Sequence, residues 1–453
     1  MEQTVMEPAT ITPPAVQALQ GVTFDRAPNA YVQSAEDMVI NIGPQHPSTH
    51  GVLRLITTIN GEVVKDMEPV IGYLHRSKEK MAEGRSLFQY QPTIDRVEYL
   101  SSFFDHYVFV SAVEQIANLK VPKRVDYIRM ITMELNRISS HLLWFGTFLL
   151  DLGASSPFFY AFRDRERIFD LFESLTGARM MYNYYRFGGV NKDIPPGWLD
   201  DVAVVIKELP LRFDEYEAIA NKNPIVMDRT IGIGLMDQQA CLKFGVTGPC
   251  LRATGIAQDL RKTNPYCAYN EVEFDVPTAT DGDVYARYQV RMAEMRESLR
   301  IIAQCLKQIP GGDSRELEAL DKGYKAVEAE IADAKKRVLL AKKQEQEPNA
   351  ADVAKSVEKV PELPLDHRSQ GQKINLLTYK PPAGEASIFV ESPRGMLGCY
   401  MITDGTPKAY RVKWRGASFS NLSCLPSLMI GNLYPDLMAV FGSIDVILPE
   451  VDR

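Results

Sequence analysis

The spacing of apolar residues changes along the chain, and its first ordered stretch has the pattern of a small β-sheet. A short strand is expected at 38–42, where the sequence reads MVINI. Two β-rich runs, 52–59 and 62–68, flank Asn60-Gly61, a pair of residues that tolerates the positive φ of a tight hairpin turn. We therefore predict an antiparallel N-terminal sheet within residues 37–70.

From about residue 71 to 221 the apolar spacing becomes helical. Three long helices are predicted, at 125–152, 156–176 and 199–221. The first has apolar residues around most of its circumference, which favours a helix buried on most sides. Asp95 and Glu98, three residues apart, match a capping box and predict a fourth helix that runs to Asn118. This region is predicted to be a bundle of long helices.

The chain divides into six predicted segments by these patterns. Residues 313–366 carry heptad-spaced apolar residues on an otherwise charged helix, which is typical either of a solvated helix packed on its own protein or of a docking helix. The segments are an extended arm at 1–36, the sheet and its loop at 37–70, the bundle at 71–221, an α+β extension at 222–312, the charged insert at 313–366, and a C-terminal α+β part at 367–453. The α+β extension is predicted to contain short strands and a helix near 283–309.

Composition narrows the class of protein. The chain has 453 residues, 45% of them hydrophobic, and a formal net charge of −7. That mild acidity argues against a dedicated nucleic-acid binder. The six cysteines are scattered without a CxxC pair, which predicts reduced thiols rather than a zinc or iron–sulfur site. The longest mostly apolar run, 142–150, is about half of a bilayer span, so a soluble chain is expected.

Titratable residues stand out at three places. His46 and His50 lie four apart, a spacing that suits two metal ligands on a helix, but Pro47 and the flanking glycines place them in a loop and no third ligand lies nearby. A hydrogen-bonding or proton-donating histidine or a structural loop histidine is therefore favoured over a metal ligand. Glu134, Arg137 and His141 share one stripe of the long apolar helix, so they are expected to have partners if buried. Asp151 interrupts an apolar stretch, where an unpaired carboxylate would be costly, and a histidine or arginine is its natural partner.

Several blocks of sequence together carry a resemblance to a known family. The blocks are GPQHPSTHGVLR at 43–54, IGYLHR at 71–76, GARM at 177–180, Arg186 with 188–190, RKTNPY at 261–266, NEVEFDVP at 270–277, YRVK at 410–413 and EVDR at 450–453. They resemble the 49-kDa family of respiratory complex I, also known as its D subunits. Coverage is roughly 38–312 and 370–453, in the family's order.

This family is itself similar to the large subunit of nickel–iron hydrogenases, which implies a hydrogenase-like α+β fold. Hydrogenases hold their metals with four cysteine thiolates from two CxxC motifs. Here the corresponding positions carry Glu98 and Ser101, then Ile447 and Glu450. Carboxylate, hydroxyl and aliphatic groups do not replace soft thiolates around nickel, so the hydrogenase reaction is excluded on chemical grounds.

The resemblance implies that the former metal cavity is the head-group end of a quinone site. The quinone-contacting residues of the family correspond to His50 and Tyr99, and the carboxylate that holds the histidine corresponds to Asp151. A phenol and an imidazole each donate a hydrogen bond to a quinone oxygen and can give up a proton to the reduced oxygen. No metal is expected to be held by this chain.

The resemblance also implies an electron source outside the chain. In the family, electrons reach the quinone from a [4Fe-4S] cluster of the neighbouring B subunit, and Arg76, Arg137 and His141 are expected to face that cluster. Further partners are the C and I subunits and the membrane-embedded H and A subunits. The expected location is peripheral, on the cytoplasmic side of the cell membrane, in a proton-pumping NADH-quinone oxidoreductase. A ferredoxin-fed or hydrogenase-related membrane assembly and a non-catalytic structural subunit are the alternatives.

Overall fold

The computed structural model describes residues 37–46, 51–311 and 379–453. Three of the features expected from sequence fall outside the described residues. These are the arm at 1–36, His50, and the charged insert at 313–366. The expectations for these three features stay predictions.

The N-terminal sheet has three antiparallel strands, which pair in chain order. They are β1 (Met38–Ile42), β2 (Arg54–Asn60) and β3 (Val63–Val70). The predicted hairpin is confirmed, with its turn one residue further along than expected. Asn60 pairs with Val63, which leaves Gly61 and Glu62 as the turn. Gly61 has a φ of +59°, a conformation that glycine adopts without a side-chain clash.

Six helices follow the sheet and form the predicted bundle. The elements are α1 (Lys78–Gly84), α2 (Leu87–Ile94), α3 (Ser102–Ile116), α4 (Lys123–Asp151), α5 (Ser156–Thr176), the short strands β4 (Tyr185–Arg186) and β5 (Gly189–Val190), and α6 (Trp198–Asn221). The three long predicted helices match α4, α5 and α6 to within two residues at each end. Helix α4 packs against α5 and is buried along most of its length, as its apolar circumference predicts.

The capping box predicted at Asp95 and Glu98 is wrong. The chain forms turns at this point, and α3 begins only at Ser102. A capping box is present earlier, where Ser86 and Gln89 cap α2. The physical reason is that the two predicted capping carboxylates have partners from other elements, since Asp95 Oδ1 lies 3.0 Å from His106 Nε2 and Glu98 pairs with Arg394.

The next stretch consists, in its described part, of helices joined by loops and turns. It contains α7 (Pro224–Asp228), α8 (Gln238–Phe244), α9 (Pro249–Arg252), α10 (Leu260–Thr263) and α11 (Val284–Gln308). Helix α11 confirms the helix predicted near 283–309. The short strands predicted here are wrong for residues 222–311, which contain none. Single long-range backbone hydrogen bonds, rather than paired strands, connect these segments. Examples are Met236 N–H to Gly282 O at 2.8 Å and Gly282 N–H to Ala253 O at 3.0 Å.

The C-terminal part combines a sheet with short helices. The strands β6 (Gly384–Ser392), β7 (Gly395–Thr403) and β8 (Ala409–Arg415) are antiparallel and pair in chain order. The closing helices are α12 (Ala417–Ser423), α13 (Leu425–Met429), α14 (Leu437–Ser443) and α15 (Leu448–Asp452). Helix α3 packs on β6 and β7, so this sheet and the bundle share one apolar core. The α+β class is confirmed.

Candidate functional site

Tyr99 lies in the turns between α2 and α3 and is half-buried. The described part of the chain forms no hydrogen bond to its hydroxyl. Burial raises the pKa of this phenol, and the positive charge of Arg394 opposes that effect. The phenol is therefore protonated near neutral pH, with an O–H that is available to donate to a ligand.

A sealed ion cluster lies directly beside Tyr99. Glu98 and Arg394 are both 0% exposed, and the Arg394 Nη1 donates to Glu98 Oε1. The same nitrogen lies 3.0 Å from Ser140 Oγ on α4, and Nη2 lies 3.2 Å from Asp445 Oδ1. The second oxygen of Glu98 accepts from the Ser101 hydroxyl. Burial raises the pKa of Glu98 to about 8, although Arg394 lowers it.

Glu450 reaches the same region from the C-terminus. Its carboxylate accepts hydrogen bonds from the backbone N–H groups of Ala417 at 2.7 Å and Ser418 at 3.1 Å. Its charge contributes to the raised pKa of Glu98. Ile447 is tied in by a 3.1 Å bond from its N–H to the Ser418 hydroxyl. Of the two pairs of positions singled out from sequence, 98 and 101 are joined to each other beside the Arg394 guanidinium, and 447 and 450 are both joined to Ser418.

A third group of titratable side chains lies on the other side of Glu98. Asp105 on α3 is 0% exposed, and its Oδ2 accepts from the backbone N–H of Glu98 at 2.7 Å. Burial and the charge of Glu98 raise its pKa well above the usual value. Lys78 of α1 extends inward towards it, and burial lowers the pKa of this lysine to about 8. These residues were not expected from sequence.

Arg137 and His141 belong to a separate buried network in the middle of α4. Arg137 Nε lies 3.1 Å from Glu134 Oε2, and His141 Nε2 lies 3.1 Å from Glu294 Oε2 on α11. Against the effect of burial, Arg137 and Arg261 hold the pKa of Glu134 at about 2. The expectation that this stripe would have partners if buried is confirmed, because its three residues are 0% exposed and paired.

The other expected site residues in the described part of the chain, Arg76 and Asp151, are not fully buried. Arg76 is exposed in the segment before α1, next to His75, whose Nδ1 lies 2.6 Å from the Asp452 carbonyl oxygen. Asp151 is the last residue of α4 and is half-buried. The structure therefore joins Tyr99 to the Glu98 cluster, while the contact between His50 and Asp151 stays a prediction.

Arg394 and Asp445, like Asp105 and Lys78, are residues of the site that sequence reasoning missed. Arg394 lies in the turn between β6 and β7, within a Pro-Arg-Gly sequence that directly follows β6. An arginine in a hairpin turn is usually exposed, and only its long-range partners identify Arg394 as buried. The only local signal is the flanking proline and glycine. They predict a turn but do not indicate whether the Arg394 side chain faces the interior or the solvent.

Two properties of the described residues bear on cofactor and membrane questions. No helix in 37–46, 51–311 or 379–453 is long and apolar enough to cross a membrane. Within the same ranges, no three His, Cys, Asp or Glu side chains form a group that could hold a metal ion. All six cysteines lie in these ranges as free thiols.

Comparison with known proteins assigns the chain to a class of subunits from multi-subunit, electron-transferring oxidoreductases. A family model described as respiratory-chain NADH dehydrogenase, 49 Kd subunit, matches residues 151–453, about two thirds of the chain. The chain belongs to this 49-kDa subunit family. The resemblance identified from the sequence blocks is thereby confirmed.

The similar proteins extend the match over nearly the whole chain. They are H subunits of NAD(P)H-quinone oxidoreductases. The H subunit 1 of Gloeobacter violaceus is 46% identical over 421 residues, which is 92% of this chain and 98% of that protein. The H subunit of Trichormus variabilis is 45% identical over 92% of this chain and 98% of its own length. The chloroplastic H subunit of Zygnema circumcarinatum is 44% identical over 93% of this chain and all of its own length.

Proposed function

We propose that this chain forms the quinone head-group site of a proton-pumping NADH-quinone oxidoreductase. With its partner subunits it reduces quinone to quinol. The membership in the 49-kDa family and the names of the relatives, which are subunits of NAD(P)H-quinone oxidoreductases, support this function. Those names also favour a nicotinamide donor over ferredoxin as the distant source of electrons.

The observation that carries the proposal is the state of Tyr99. A half-buried phenol, with a raised pKa and no hydrogen bond to its hydroxyl from the described chain, has an unused donor in a poorly solvated place. Leaving such a donor unpaired costs free energy, so a carbonyl acceptor from a bound molecule is favoured there. A quinone carbonyl fits this donor, and its reduced oxygen can take the phenolic proton.

His50 and Asp151 complete the proposed site. His50 donates a hydrogen bond to the second quinone oxygen, and Asp151 orients the imidazole and favours its protonated form. Support for Asp151 comes from its place at the end of α4, where it is half-buried rather than sealed. Once the imidazolium has given its proton to the oxygen of the reduced quinone, the Asp151 charge is left uncompensated, a change that can be transmitted to the membrane subunits.

The residues proposed to face the partner's cluster divide into two kinds. Arg76 is exposed, so its guanidinium can approach a neighbouring subunit directly. Arg137 and His141 are sealed within this chain, so Arg137 acts on the cluster through its charge. Burial lowers the pKa of His141, which therefore helps to hold α4 in place through its bond with Glu294. The [4Fe-4S] cluster of the B subunit supplies the electrons, while this chain positions the quinone and supplies protons.

The proposal also includes a hydrogenase-like fold for this chain and its assembly with partner subunits. Of the positions that would hold thiolates in a hydrogenase, Glu98 pairs with Arg394, a cation that it shares with Asp445. We further propose contacts with the B, C and I subunits and with the membrane-embedded H and A subunits, on the cytoplasmic side of the membrane. The relatives' membership in quinone oxidoreductases supports such partners.

The test is quinone reduction by the purified, assembled complex. Tyr99→Phe and His50→Ala are expected to lower turnover at least about a hundredfold, the usual contribution of a positioned proton donor. Tyr410→Phe, which removes a hydroxyl from an exposed tyrosine on β8, serves as the matched control with unchanged turnover. Full activity of both site variants in intact complex would establish the non-catalytic alternative.

A further inference from the structure

Tyr99 is the second residue of a four-residue turn at 98–101, which the Ser101 N–H closes by donating to the Glu98 carbonyl oxygen at 3.1 Å. The closing bond does not use the Glu98 N–H or the Leu100 carbonyl oxygen, and both residues are buried. The turn lies between α2 and α3, so it has no regular backbone ladder that could pair these groups. Buried backbone groups without a partner are costly, so both need partners from elsewhere in the fold.

Asp105 holds the start of the turn. Its Oδ2 accepts from the Glu98 N–H at 2.7 Å, and the side chain is completely buried. Asp105 lies on α3, which packs on β6 and β7. The peptide group that enters the turn is thereby tied to the helix and sheet core.

Asn136 holds the end of the turn from the middle of α4. Its Nδ2 donates to the Leu100 carbonyl oxygen at 2.9 Å, and the side chain is completely buried. Its Oδ1 accepts a longer bond, of 3.4 Å, from the Phe103 N–H in the first turn of α3. Ser101, the N-cap of α3, forms no capping bond with its side chain, and its hydroxyl donates to the Glu98 carboxylate instead. A single amide from a neighbouring helix therefore caps α3 and fixes the peptide group that leaves the turn.

The consequence of these bonds is that the turn is held at its start, at its end and across its middle. A turn held in this way has little freedom to tilt, so the direction of the Tyr99 Cα–Cβ bond is set. The phenol retains only the rotations of its own side chain. Helices hold a functional group more precisely than loops do, and here α3 and α4 extend that precision to a residue in a turn.

We propose that Asp105 and Asn136 are positioning residues for quinone reduction, which keep the Tyr99 hydroxyl within reach of the quinone oxygen. The inference rests on the proposed function, because it takes Tyr99 as the donor to quinone. Neither positioning residue touches quinone, and both act through the turn that carries the phenol. Such precision matters, because a displacement of about 1 Å at a reacting group can lower turnover roughly a hundredfold.

The first test is a double-mutant cycle between Asn136 and Tyr99, with quinone turnover measured per assembled complex. Asn136→Leu keeps the approximate shape of the side chain and loses both polar groups, so turnover is expected to fall about ten- to a hundredfold. In the Tyr99→Phe background the same substitution is expected to lower turnover by no more than about twofold, because no hydroxyl remains to be positioned. A general loss of stability would instead lower both activities by equal factors.

The matched control is Thr132→Val, one helical turn earlier on α4. It removes a buried hydroxyl whose bonds run to the Tyr185 hydroxyl at 2.6 Å and to the Ile128 carbonyl oxygen at 2.8 Å, rather than to the turn. Its turnover per complex is expected to equal that of the wild type, even where its thermal midpoint falls as much as that of Asn136→Leu.

A second test separates hydrogen bonding from other roles of Asp105. Asp105→Asn retains an oxygen that can accept from the Glu98 N–H, whereas Asp105→Leu has none. The amide variant is expected to keep most of the wild-type turnover, and the leucine variant to lose at least about tenfold. Equal losses in the two variants, or no loss in either, would overturn the positioning role of Asp105.

The outcomes distinguish this inference from the proposed function. If Tyr99→Phe lowers turnover, and Asn136→Leu either has no effect or lowers it equally in both backgrounds, the positioning role of Asn136 is wrong and the quinone site stands. If Asn136→Leu does not assemble, Asn136→Asp takes its place in the cycle, because it loses the donor to Leu100 and keeps the acceptor for Phe103. If Tyr99→Phe keeps full turnover, the proposed function itself fails.

Discussion

The Arg394 guanidinium donates to the Asp445 carboxylate across 3.2 Å and thereby joins the β6–β7 turn to the segment before α15. Both side chains are almost completely buried. The same guanidinium holds Glu98, which precedes Tyr99. The position of the candidate phenol therefore depends on contacts between three segments that are far apart in sequence.

Arg394→Met is expected to destabilise the chain strongly. The substitution leaves Glu98 and Asp445 without their shared cation in a sealed region, and breaking a buried pair in this way costs about 3–5 kcal/mol. The measurement is the amount of assembled complex and its midpoint of thermal inactivation. Arg411→Met is the control, because its pair with Glu83 is exposed and such pairs contribute only about 0–1 kcal/mol. Equal midpoints for the two variants would contradict the structural role of Arg394.

The long helices could be predicted because their signals are local. Helix α5 begins and ends where the sequence indicated, at Ser156-Pro157 and before Gly177, whose φ of +82° closes the helix. The strong apolar pattern of α4 likewise needs no knowledge of distant partners. Elements of this kind follow from spacing and caps within a single stretch of chain.

The ion cluster could not be predicted because its pairs join distant parts of the chain. Glu98 had a plausible local role as a capping residue, and its actual partner lies 296 residues away. Arg394 stands in a turn whose local sequence is equally suited to the surface. The resemblance to a known family located Tyr99, while the residues that set its surroundings required the structure.

The stability of the Glu134 network is expected to fall in acid. The pKa of Glu134 is about 2 in the folded chain, because Arg137 and Arg261 outweigh the effect of burial, against an unfolded value of about 4.3. A depressed pKa contributes stability that is present above about pH 4.3 and is lost as pH falls towards 2. The measurement is the pH dependence of the midpoint of thermal unfolding. Glu173→Gln, which removes an exposed carboxylate on α5, is the control and should leave this pH dependence as it is in the wild type.

Glu98 is expected to have the opposite dependence on pH. Its pKa is raised to about 8 by burial, so its protonated form is the one that the folded chain favours. The stability linked to this proton is complete below about pH 4.3 and is lost as pH rises through 8. Glu98→Gln has no such proton to lose, so its thermal midpoint should decline less than that of the wild type between pH 5 and pH 8. Parallel curves for the two proteins would contradict a raised pKa at this residue.

Gly416→Ala is expected to disturb the site with little direct strain on the backbone. Gly416 has an extended conformation, with a φ of −98°, that alanine can adopt, but an added Cβ would lie 2.6 Å from Glu450 Cγ. The Glu450 carboxylate must then move away from the Ala417 and Ser418 N–H groups, which leaves two buried donors unpaired at about 1–3 kcal/mol each. Quinone turnover and the thermal midpoint of the complex are both expected to fall. Gly84→Ala in α1 provides the control, because a Cβ there meets no atom within 4 Å. A Gly416→Ala complex as active and stable as this control would show that the position of Glu450 does not matter to the site.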